Sequence, residues 1–320
     1  MLGRAIAEEG RISLRLARVC CRIRTSTAMA PPWVRPKLAK ETFRYLKDAA
    51  PFFLIAGPCV LESKSSALHI AETVYRIGER FGIPVVFKAS FDKANRQSVK
   101  SPRGVGLSKG LDILQTVKDT FEHMLVTTDV HERDHCNDVA AVADILQIPA
   151  FLCRQTDLIL DAAATGKLLN IKKGQFASAD TMHLAAAKAL RSVVDGGKKE
   201  DKGHGVLLTE RGTMFGYDDL VFDPRNLILM RAPSHLVVQD ATHSVQQGRH
   251  GRDDRRQTGG AREFVPTVAR AAVAVGIDGL FLETHPSPAT AICDRENQFA
   301  LHQLEALVGE LIDIAQASRG

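Results

Sequence analysis

Short apolar runs alternate with helical patterns from Phe52 to the end of the chain. Eight runs have this character, and they begin at or near Phe52, Pro84, Met124, Ile145, Leu168, Val206, Leu236 and Gly279. Strands that alternate with helices are typical of parallel α/β folds, and eight such units are the number in a closed (β/α)8 barrel. A doubly wound open sheet is the alternative, but no GxGxxG motif follows the first run. We therefore predict one (β/α)8 TIM-barrel domain over residues 36–320.

The composition is that of a globular protein. Of the 320 residues, 45% are hydrophobic and 25% are charged, and no apolar run approaches the roughly 18 residues that span a bilayer. The six cysteines show no CxxC spacing, which favours a reducing compartment and a cytoplasmic location. The net charge of +5 is modest, and a single Trp leaves no aromatic stripe for stacking bases. We predict neither a membrane partner nor a nucleic-acid partner.

Residues 1–35 differ from the rest of the chain. Six arginines are interleaved with apolar residues before Met29, where Glu8 and Glu9 are the only acids. An Arg-rich, acid-poor segment is typical of an organellar transit peptide. An extension upstream of a start at Met29 explains the same composition. Both interpretations stay open, and we predict that residues 1–35 are an N-terminal extension of the barrel.

Polar side chains stand where the predicted strands end. They are Cys59, Lys88, Asp129, Arg154, Lys172, Arg211, His243 and Glu283. In a (β/α)8 barrel the carboxyl ends of the strands surround one mouth, which is where active sites of this fold lie. A buried charge costs free energy unless it is paired or used. The pattern therefore predicts an active site at this mouth, where Asp129 and His131 could transfer a proton or hold a water molecule.

Cations are the most frequent of these polar residues, and the stretch from Val86 to Ser98 is especially rich in them. Those expected to face the mouth are Lys88, Lys93, Arg154, Lys172 and Arg211. Lys binds phosphate as a point charge, and the planar guanidinium of Arg suits phosphate bidentately. Nearby acids are too few to neutralise all of them, so a ligand with phosphate and carboxylate groups would balance the charge. A set of internal salt bridges is the alternative.

A second set of residues indicates a metal site. Cys59 ends the first strand, His243 the seventh and Glu283 the eighth, and Asp294 follows Glu283 in the chain. These four can meet because the first and eighth strands are neighbours in a closed barrel. A thiolate, an imidazole and two carboxylates suit a divalent ion such as Zn²⁺, Fe²⁺ or Mn²⁺. Each residue also has a structural interpretation, for example Cys59 as a small buried hydrophobe.

Longer motifs carry a family resemblance. They are Ala56-Gly-Pro-Cys59, Phe87-Lys-Ala-Ser-Phe-Asp-Lys-Ala-Asn-Arg96, Thr128-Asp-Val-His-Glu132, Gln147-Ile-Pro-Ala-Phe-Leu-Cys-Arg-Gln-Thr-Asp157, Asn170-Ile-Lys-Lys-Gly-Gln-Phe176, Thr209-Glu-Arg-Gly-Thr-Met-Phe-Gly-Tyr217, Asp240-Ala-Thr-His-Ser-Val-Gln246 and Glu283-Thr-His-Pro286. On these motifs the chain resembles the 3-deoxy-D-manno-octulosonate 8-phosphate synthase family from about Phe52 to Ala317. The Lys-Ala-Asn-Arg element separates this family from the related 3-deoxy-arabino-heptulosonate 7-phosphate synthases.

The resemblance implies an aldol-type condensation of phosphoenolpyruvate with D-arabinose 5-phosphate and water, with release of phosphate. It implies that the five cations bind phosphoenolpyruvate and that Asn95 and Arg96, with Ser98 close by, bind the sugar phosphate. Cys59 is the mark of the metal-dependent branch, since the other branch carries Asn there. Catalytic roles are expected for Lys88, Lys93, Asp129, His131, Lys172 and His243. A homotetramer is also expected, with Arg96 reaching a neighbouring subunit's site.

The sequence departs from the family pattern in four places, one of which is the segment after Asp294. Gln97 stands where the family carries Ser or Thr, Arg103-Gly-Val-Gly106 replaces Arg-Gly-Pro-Gly, and the loop from Gln247 to Gly260 is crowded with Arg and Asp. Two alternatives therefore stay open. One is the same fold condensing phosphoenolpyruvate with another aldose phosphate, such as erythrose 4-phosphate. The other is a non-catalytic protein that binds phosphorylated ligands.

Overall fold

The computed structural model describes residues 35–96, 98–191, 205–215, 219–247 and 259–318. The barrel strands are β1 (Phe53–Gly57), β2 (Val85–Lys88), β3 (Leu125–Asp129), β4 (Ile145–Ile148), β5 (Leu168–Lys172), β6 (Val206–Glu210), β7 (His235–Asp240) and β8 (Gly279–His285). The α-helices are α1 (Ala39–Lys47), α2 (Lys64–Phe81), α3 (Leu107–Thr120), α4 (His135–Val142), α5 (Thr156–Ala164), α6 (Ala179–Arg191), α7 (Arg225–Leu229), α8 (Val265–Val275) and α9 (Leu301–Ala317). Each strand from β1 to β8 is followed by one helix from α2 to α9.

The eight strands form one closed parallel sheet. Neighbours in the sheet follow the order of the sequence from β1 to β8. The sheet closes because β8 pairs with β1, from Gly279 opposite Phe53 to Glu283 opposite Gly57. This confirms the predicted (β/α)8 barrel and excludes the open doubly wound sheet. All eight carboxyl ends therefore lie at the same mouth.

Helix α1 closes the opposite end of the barrel. Its buried residues Ala39, Thr42, Phe43 and Leu46 recur at helical spacing and so form one apolar stripe. Phe43 and Leu46 share a buried cluster with inward-facing strand residues such as Leu125. Alternate residues of each strand point into the barrel because a strand has a two-residue period. With this end filled, the mouth is the end of the barrel that can admit a ligand.

The outer layer consists of amphipathic helices. Ser63 caps α2, since its hydroxyl accepts a hydrogen bond from the Ser66 backbone N–H at 3.1 Å. Leu304, Leu307 and Leu311 of α9 are buried at helical spacing. Burying each such side chain stabilises the fold by roughly 1.5–3 kcal/mol. The outer helices thereby hold the barrel strands, and with them the residues at the mouth.

The segment after β6 contains structure that was not predicted. Thr213–Phe215 pairs antiparallel with Asp219–Val221, and Gln246–Gln247 pairs with both Asp219–Val221 and Gly259–Gly260. These short strands form a second, small sheet beside the mouth. Strands of two or three residues have no detectable period, so the sequence pattern did not indicate them.

Several predictions fall on parts of the chain that are not described. They concern helix residues beyond Arg191, the departure at Gln97 and most of the loop between Gln247 and Gly260. Of the N-terminal extension only Arg35 is described, and its guanidinium donates to the Lys118 carbonyl at 2.6 Å. The domain boundary at residue 36 stays a prediction. Among the described helices, none combines the length and the apolarity that crossing a bilayer requires.

Candidate active site

A cavity of about 940 Å³ opens at the mouth of the barrel. The predicted site residues that line it are Lys88, Lys93, Asn95, Arg96, Asp129, His131, Lys172, Arg211, His243, Glu283 and Asp294. Cys59 is buried directly behind this lining, with its Sγ 3.1 Å from Asp294 Oδ2. Residues far apart in the sequence therefore meet at one place, as the strand-end pattern predicts.

Two predicted residues, Ser98 and Arg154, do not line the cavity. Arg154 was expected at the end of the fourth strand, but β4 ends at Ile148 and a 3-10 turn over Ala150–Leu152 precedes Arg154. The Arg154 side chain is exposed as a result. The expected position of Arg154 at the mouth therefore differs from the observed one because the chain changes direction before reaching it.

Lys88 ends β2 and is buried beside Glu283 of β8. Its Nζ donates to Glu283 Oε1 at 2.6 Å and to the Cys59 carbonyl at 3.1 Å. Lys93 Nζ lies 3.8 Å from the same carboxylate oxygen. Burial lowers the pKa of Lys93, but the acidic groups of Cys59 and Glu283 outweigh burial and raise it well above its ordinary value. Lys93 is therefore held as a cation at the cavity wall.

Asp240, at the end of β7, joins Lys172 to His243. Lys172 Nζ forms an ion pair with Asp240 Oδ2 and lies 3.6 Å from the ring centroid of Phe281. His243 Nδ1 lies 2.7 Å from the same oxygen. Burial raises the pKa of Asp240, but His243 and Lys172 outweigh burial and hold it far below its ordinary value. A charged Asp240 orients both side chains and turns His243 Nε2 toward the carboxylates of Glu283 and Asp294, which lie 3.6 Å and 3.8 Å away.

Arg211 follows β6 and is buried at the cavity wall. Its Nη2 donates to the side-chain oxygen of Gln246. Its Nη1 is also buried and makes no hydrogen bond to any of the described residues. A guanidinium with an unused buried donor is suited to an anionic ligand, and phosphate is the ligand that its planar geometry fits best.

Asp129 and His131 differ in their capacity to take a proton. Asp129 accepts hydrogen bonds from Ser90 Oγ and Gln147 Nε2. Burial raises its pKa, but Lys88 and other nearby cations outweigh burial and hold the pKa far below its ordinary value. Asp129 is therefore a weak base with both oxygens engaged. His131 has its pKa lowered by burial, and its Nδ1 makes no hydrogen bond within the described part of the chain.

Asn95 and Arg96 line the same cavity on the segment after β2. Arg96 donates from Nη2 to the Ile292 carbonyl at 2.8 Å and from Nε to the Pro102 carbonyl at 3.0 Å. It thereby ties the Lys-Ala-Asn-Arg segment to the segment that carries Asp294. The two parts of the predicted site, the basic stretch and the metal ligands, are in direct contact.

The four predicted metal ligands form one cluster. Ligating atoms of His243, Glu283 and Asp294 lie within 4.8 Å of one another, and Cys59 joins Asp294 in a second group with the same limit. Glu283 Oε2 is buried and makes no hydrogen bond to the described residues. The cluster offers one sulfur, one nitrogen and two carboxylates, one of which has this unsatisfied oxygen. Such a donor set suits Zn²⁺, Fe²⁺ or Mn²⁺.

Sequence reasoning missed two residues of this cluster. Cys293 was given no functional interpretation, yet its Sγ lies 2.7 Å from that of Cys59. Gln298 is buried and bridges the two segments, since its amide accepts from the Cys59 N–H at 3.2 Å and donates to the Cys293 carbonyl at 2.8 Å. The adjacency of Cys293 to Asp294 was the only available signal. Gln298 gave none, because its role depends on a contact between distant parts of the chain.

A closed barrel with a polar, cation-lined mouth defines a (β/α)8-barrel enzyme for anionic substrates. A family model described as "DAHP synthetase I family" matches residues 46–317. The chain belongs to this family, since the match covers most of its length.

The curated relatives narrow the assignment within that family. A 2-dehydro-3-deoxyphosphooctonate aldolase of Pisum sativum is 49% identical over 280 residues, which are 87% of this chain and 93% of the relative. Proteins of the same name from Bordetella petrii and Campylobacter jejuni are both 50% identical, covering 84% and 82% of this chain and 92% and 95% of theirs. These matches confirm the resemblance that the sequence motifs indicated.

Proposed function

We propose that this protein condenses phosphoenolpyruvate with D-arabinose 5-phosphate and water to give 3-deoxy-D-manno-octulosonate 8-phosphate and phosphate. The observation that carries the proposal is the single cavity lined by Lys88, Lys93, Lys172 and Arg211 and by Asn95 and Arg96, with the ligand cluster at its wall. Relatives that are about half identical over most of both chains bear the corresponding name.

Phosphoenolpyruvate is the ligand proposed for the cations. Lys172 and the free Nη1 of Arg211 would bind its phosphate, and Lys88 and Lys93 would balance its carboxylate. Charge complementarity supports this assignment, because the pairs with Asp240 and Glu283 leave Lys93 and Arg211 only partly neutralised. Arabinose 5-phosphate is assigned to Asn95 and Arg96, with Ser98 as a further candidate. Arg154 stays a candidate for the phosphoenolpyruvate phosphate.

The reaction forms one carbon–carbon bond and one carbon–oxygen bond, and it breaks the carbon–oxygen bond between C2 and the phosphate. C3 of phosphoenolpyruvate attacks the aldehyde carbon of the sugar, the aldehyde oxygen takes a proton, and water adds at C2. The resulting hemiketal phosphate loses phosphate to leave a ketone. Lys88 and Lys93 stabilise negative charge that develops on the oxygens. His131 lines the cavity and its pKa is lowered by burial, so we assign the uptake of a proton from the water to it rather than to Asp129.

The ligand cluster is proposed to hold a divalent metal ion through Cys59, His243, Glu283 and Asp294. A bound divalent ion supplies Lewis acidity that can orient and polarise an oxygen ligand. The protein's own contribution is the arrangement around it. Asp240 fixes the His243 ring through Nδ1, and Lys88 holds one oxygen of Glu283 so that the other faces the cluster.

The test is a product assay with phosphoenolpyruvate and arabinose 5-phosphate, with and without a chelator. We expect release of one phosphate for each eight-carbon product, and loss of activity after chelation that added metal restores. Erythrose 4-phosphate is the comparison substrate. Faster turnover with it would reassign the sugar specificity, and absence of phosphate release from metal-loaded protein with either sugar would contradict the enzymatic proposal.

We also propose a homotetramer. Phe151, Phe176 and Met214 are more than half exposed around the mouth, and large apolar side chains grouped on a surface are typical of protein interfaces. A neighbouring subunit on this surface would bring its own segments close to the cavity. Light scattering on the purified chain tests the stoichiometry, and a monomer at micromolar concentration would contradict the proposal.

Localisation is proposed to be cytoplasmic, with the arginine-rich residues 1–30 as the competing organellar signal. A reporter fused to residues 1–35 decides between the two. Diffuse cytosolic fluorescence supports the cytoplasmic proposal, and import into an organelle contradicts it.

A further inference from the structure

Lys173 is fully buried on the opposite side of β5 from its neighbour Lys172. Lys173 lies one residue beyond β5, but its backbone N–H donates to the Thr209 carbonyl at 2.7 Å, so the alternation of the strand continues for one more residue. Because successive side chains alternate, Lys172 enters the cavity while Lys173 points away from it. Lys173 has no accessible surface and does not line the cavity. It therefore cannot touch a substrate, and a buried lysine without such a function needs another explanation.

The Lys173 nitrogen joins the segments that follow β5 and β6. After β5, it lies 3.4 Å from the Gly174 carbonyl oxygen and 3.3 Å from the Ala177 carbonyl oxygen. After β6, it donates to the Gly212 carbonyl at 3.2 Å and to Thr213 Oγ1 at 3.0 Å. One side chain thus fixes the spacing between two loops at the mouth.

Glu210 shapes the second of these loops. Its Oε1 lies 3.5 Å from Lys173 Nζ. The same oxygen accepts the backbone N–H of Arg211 at 3.1 Å and of Gly212 at 2.7 Å. Gly212 has a φ of 91°, a conformation that favours glycine. The carboxylate therefore holds the turn that aims Arg211 into the cavity.

We propose that Lys173 and Glu210 are positioning residues that set the distance between the phosphate-binding side chains of Lys172 and Arg211. The inference rests on the proposed function, which assigns those two cations to phosphoenolpyruvate. Lys173 follows Lys172 in the chain, and Glu210 precedes Arg211. The buried ion pair of Lys173 and Glu210 therefore links the backbones that carry the two phosphate-binding side chains. Asn95 and Arg96, on the segment after β2, make none of these contacts.

The experiment compares Lys173→Met and Glu210→Gln with wild type in steady-state assays that vary each substrate in turn. We expect KM for phosphoenolpyruvate to rise roughly 10- to 100-fold, because small displacements of binding groups have effects of this size. KM for arabinose 5-phosphate should stay near the wild-type value. Thr213→Val removes only one acceptor of Lys173 and should raise KM for phosphoenolpyruvate in the same direction by less.

Lys118→Met is the control for loss of a partly buried, ion-paired lysine away from the mouth. Lys118 Nζ donates to Asp144 Oδ1 at 2.6 Å and to the Val142 carbonyl at 2.7 Å, and neither partner lies at the mouth. This variant should lower thermal stability while leaving both KM values unchanged. If Lys173→Met and Glu210→Gln behave in the same way, or if they raise both KM values equally, the positioning role is wrong.

The positioning role can be tested even if the proposed enzymatic function is wrong. If wild type releases no phosphate with either sugar, calorimetric titration with phosphoenolpyruvate replaces the kinetic assay. Weaker phosphoenolpyruvate binding in Glu210→Gln and Thr213→Val, but not in Lys118→Met, would uphold the positioning role in a protein that only binds this ligand. Equal binding in all variants, or no binding to wild type, would overturn it. Should Lys173→Met not fold, Thr213→Val and Glu210→Gln carry the test.

Discussion

Lys88 Nζ lies 2.6 Å from Glu283 Oε1, and their side chains are only 2% and 0% exposed. The pair connects β2 to β8 across β1, so it crosses the seam at which the barrel closes. The second oxygen of Glu283, Oε2, makes no hydrogen bond within the described residues and lies 3.6 Å from His243 Nε2. One carboxylate therefore joins the cations of the mouth to the cluster of metal ligands.

Replacing Glu283 by Gln should destabilise the protein strongly. Removing one partner of a buried ion pair leaves the other charge uncompensated, which costs about 3–5 kcal/mol. We expect a decrease of this size in the free energy of unfolding, measured by urea denaturation of metal-free protein. Glu310→Gln is the control, because Glu310 pairs with Arg270 on the surface and its loss should change stability little. Similar effects of both substitutions would contradict the buried-pair interpretation.

Cys59→Asn should weaken binding of a divalent metal. The loss should be at least the roughly 10- to 100-fold seen when a group that supports a metal ligand is removed. Burial raises the pKa of the Cys59 thiol well above its ordinary value, so metal must displace a proton and its affinity should rise with pH. Metal content after dialysis and competition with a chelator measure both effects.

Cys136→Ala is the control for the metal prediction. Cys136 is also a buried free cysteine, but it lies on α4 and outside the ligand cluster. Its replacement should leave metal content and its pH dependence unchanged. Equal metal affinity in wild type and Cys59→Asn would remove Cys59 from the proposed ligand set.

Arg96→Ala should affect the KM values of the two substrates differently. Arg96 lines the cavity on the segment after β2 and is assigned to the sugar phosphate. We expect a large increase in KM for arabinose 5-phosphate and a small one for phosphoenolpyruvate, measured by varying each substrate at saturating concentrations of the other. Arg76→Ala, on the exposed surface of α2, is the control. Equal increases for both substrates would contradict the division of the cavity.

The sequence predicts well which strand-end side chains lie at the mouth, because the same rule applies to every strand. Each apolar run stops where a polar side chain appears, and in a closed parallel barrel every such stop lies at the same mouth. Lys88, Lys172 and Glu283 were placed in this way without any pairwise information. Arg154 was expected at the mouth by the same rule, but it follows a 3-10 turn that no periodicity marks.

The contacts of Lys173 were not predictable from the sequence alone. The strand-end rule placed Lys172 at the mouth, but it assigned no position to the residue that follows. The strand β5 ends at Lys172, and the Lys173 side chain contacts residues that are distant in the sequence. Cys293 and Gln298 were missed for a related reason. Their contacts with Cys59 join segments that are more than 200 residues apart in the sequence.

The last prediction concerns acid stability and a histidine far from the metal ligands. His235 begins β7, its Nδ1 lies 3.3 Å from the Met230 carbonyl, and its ring stacks on His183 at 5.1 Å. Burial lowers the pKa of His235, the Met230 carbonyl opposes this shift, and His183 adds to it. The folded state therefore binds fewer protons than the unfolded state once the pH falls toward the ordinary histidine pKa of about 6.5.

The sign of the effect follows from linkage. Where the unfolded state binds more protons, the free energy of unfolding decreases as pH falls. Wild type should therefore lose stability below about pH 6.5, relative to His235→Phe, which cannot titrate. Urea denaturation of both proteins at a series of pH values measures the difference, with values above about pH 8 as the internal reference. A difference that stays constant across the series would mean that protonation of His235 does not oppose folding.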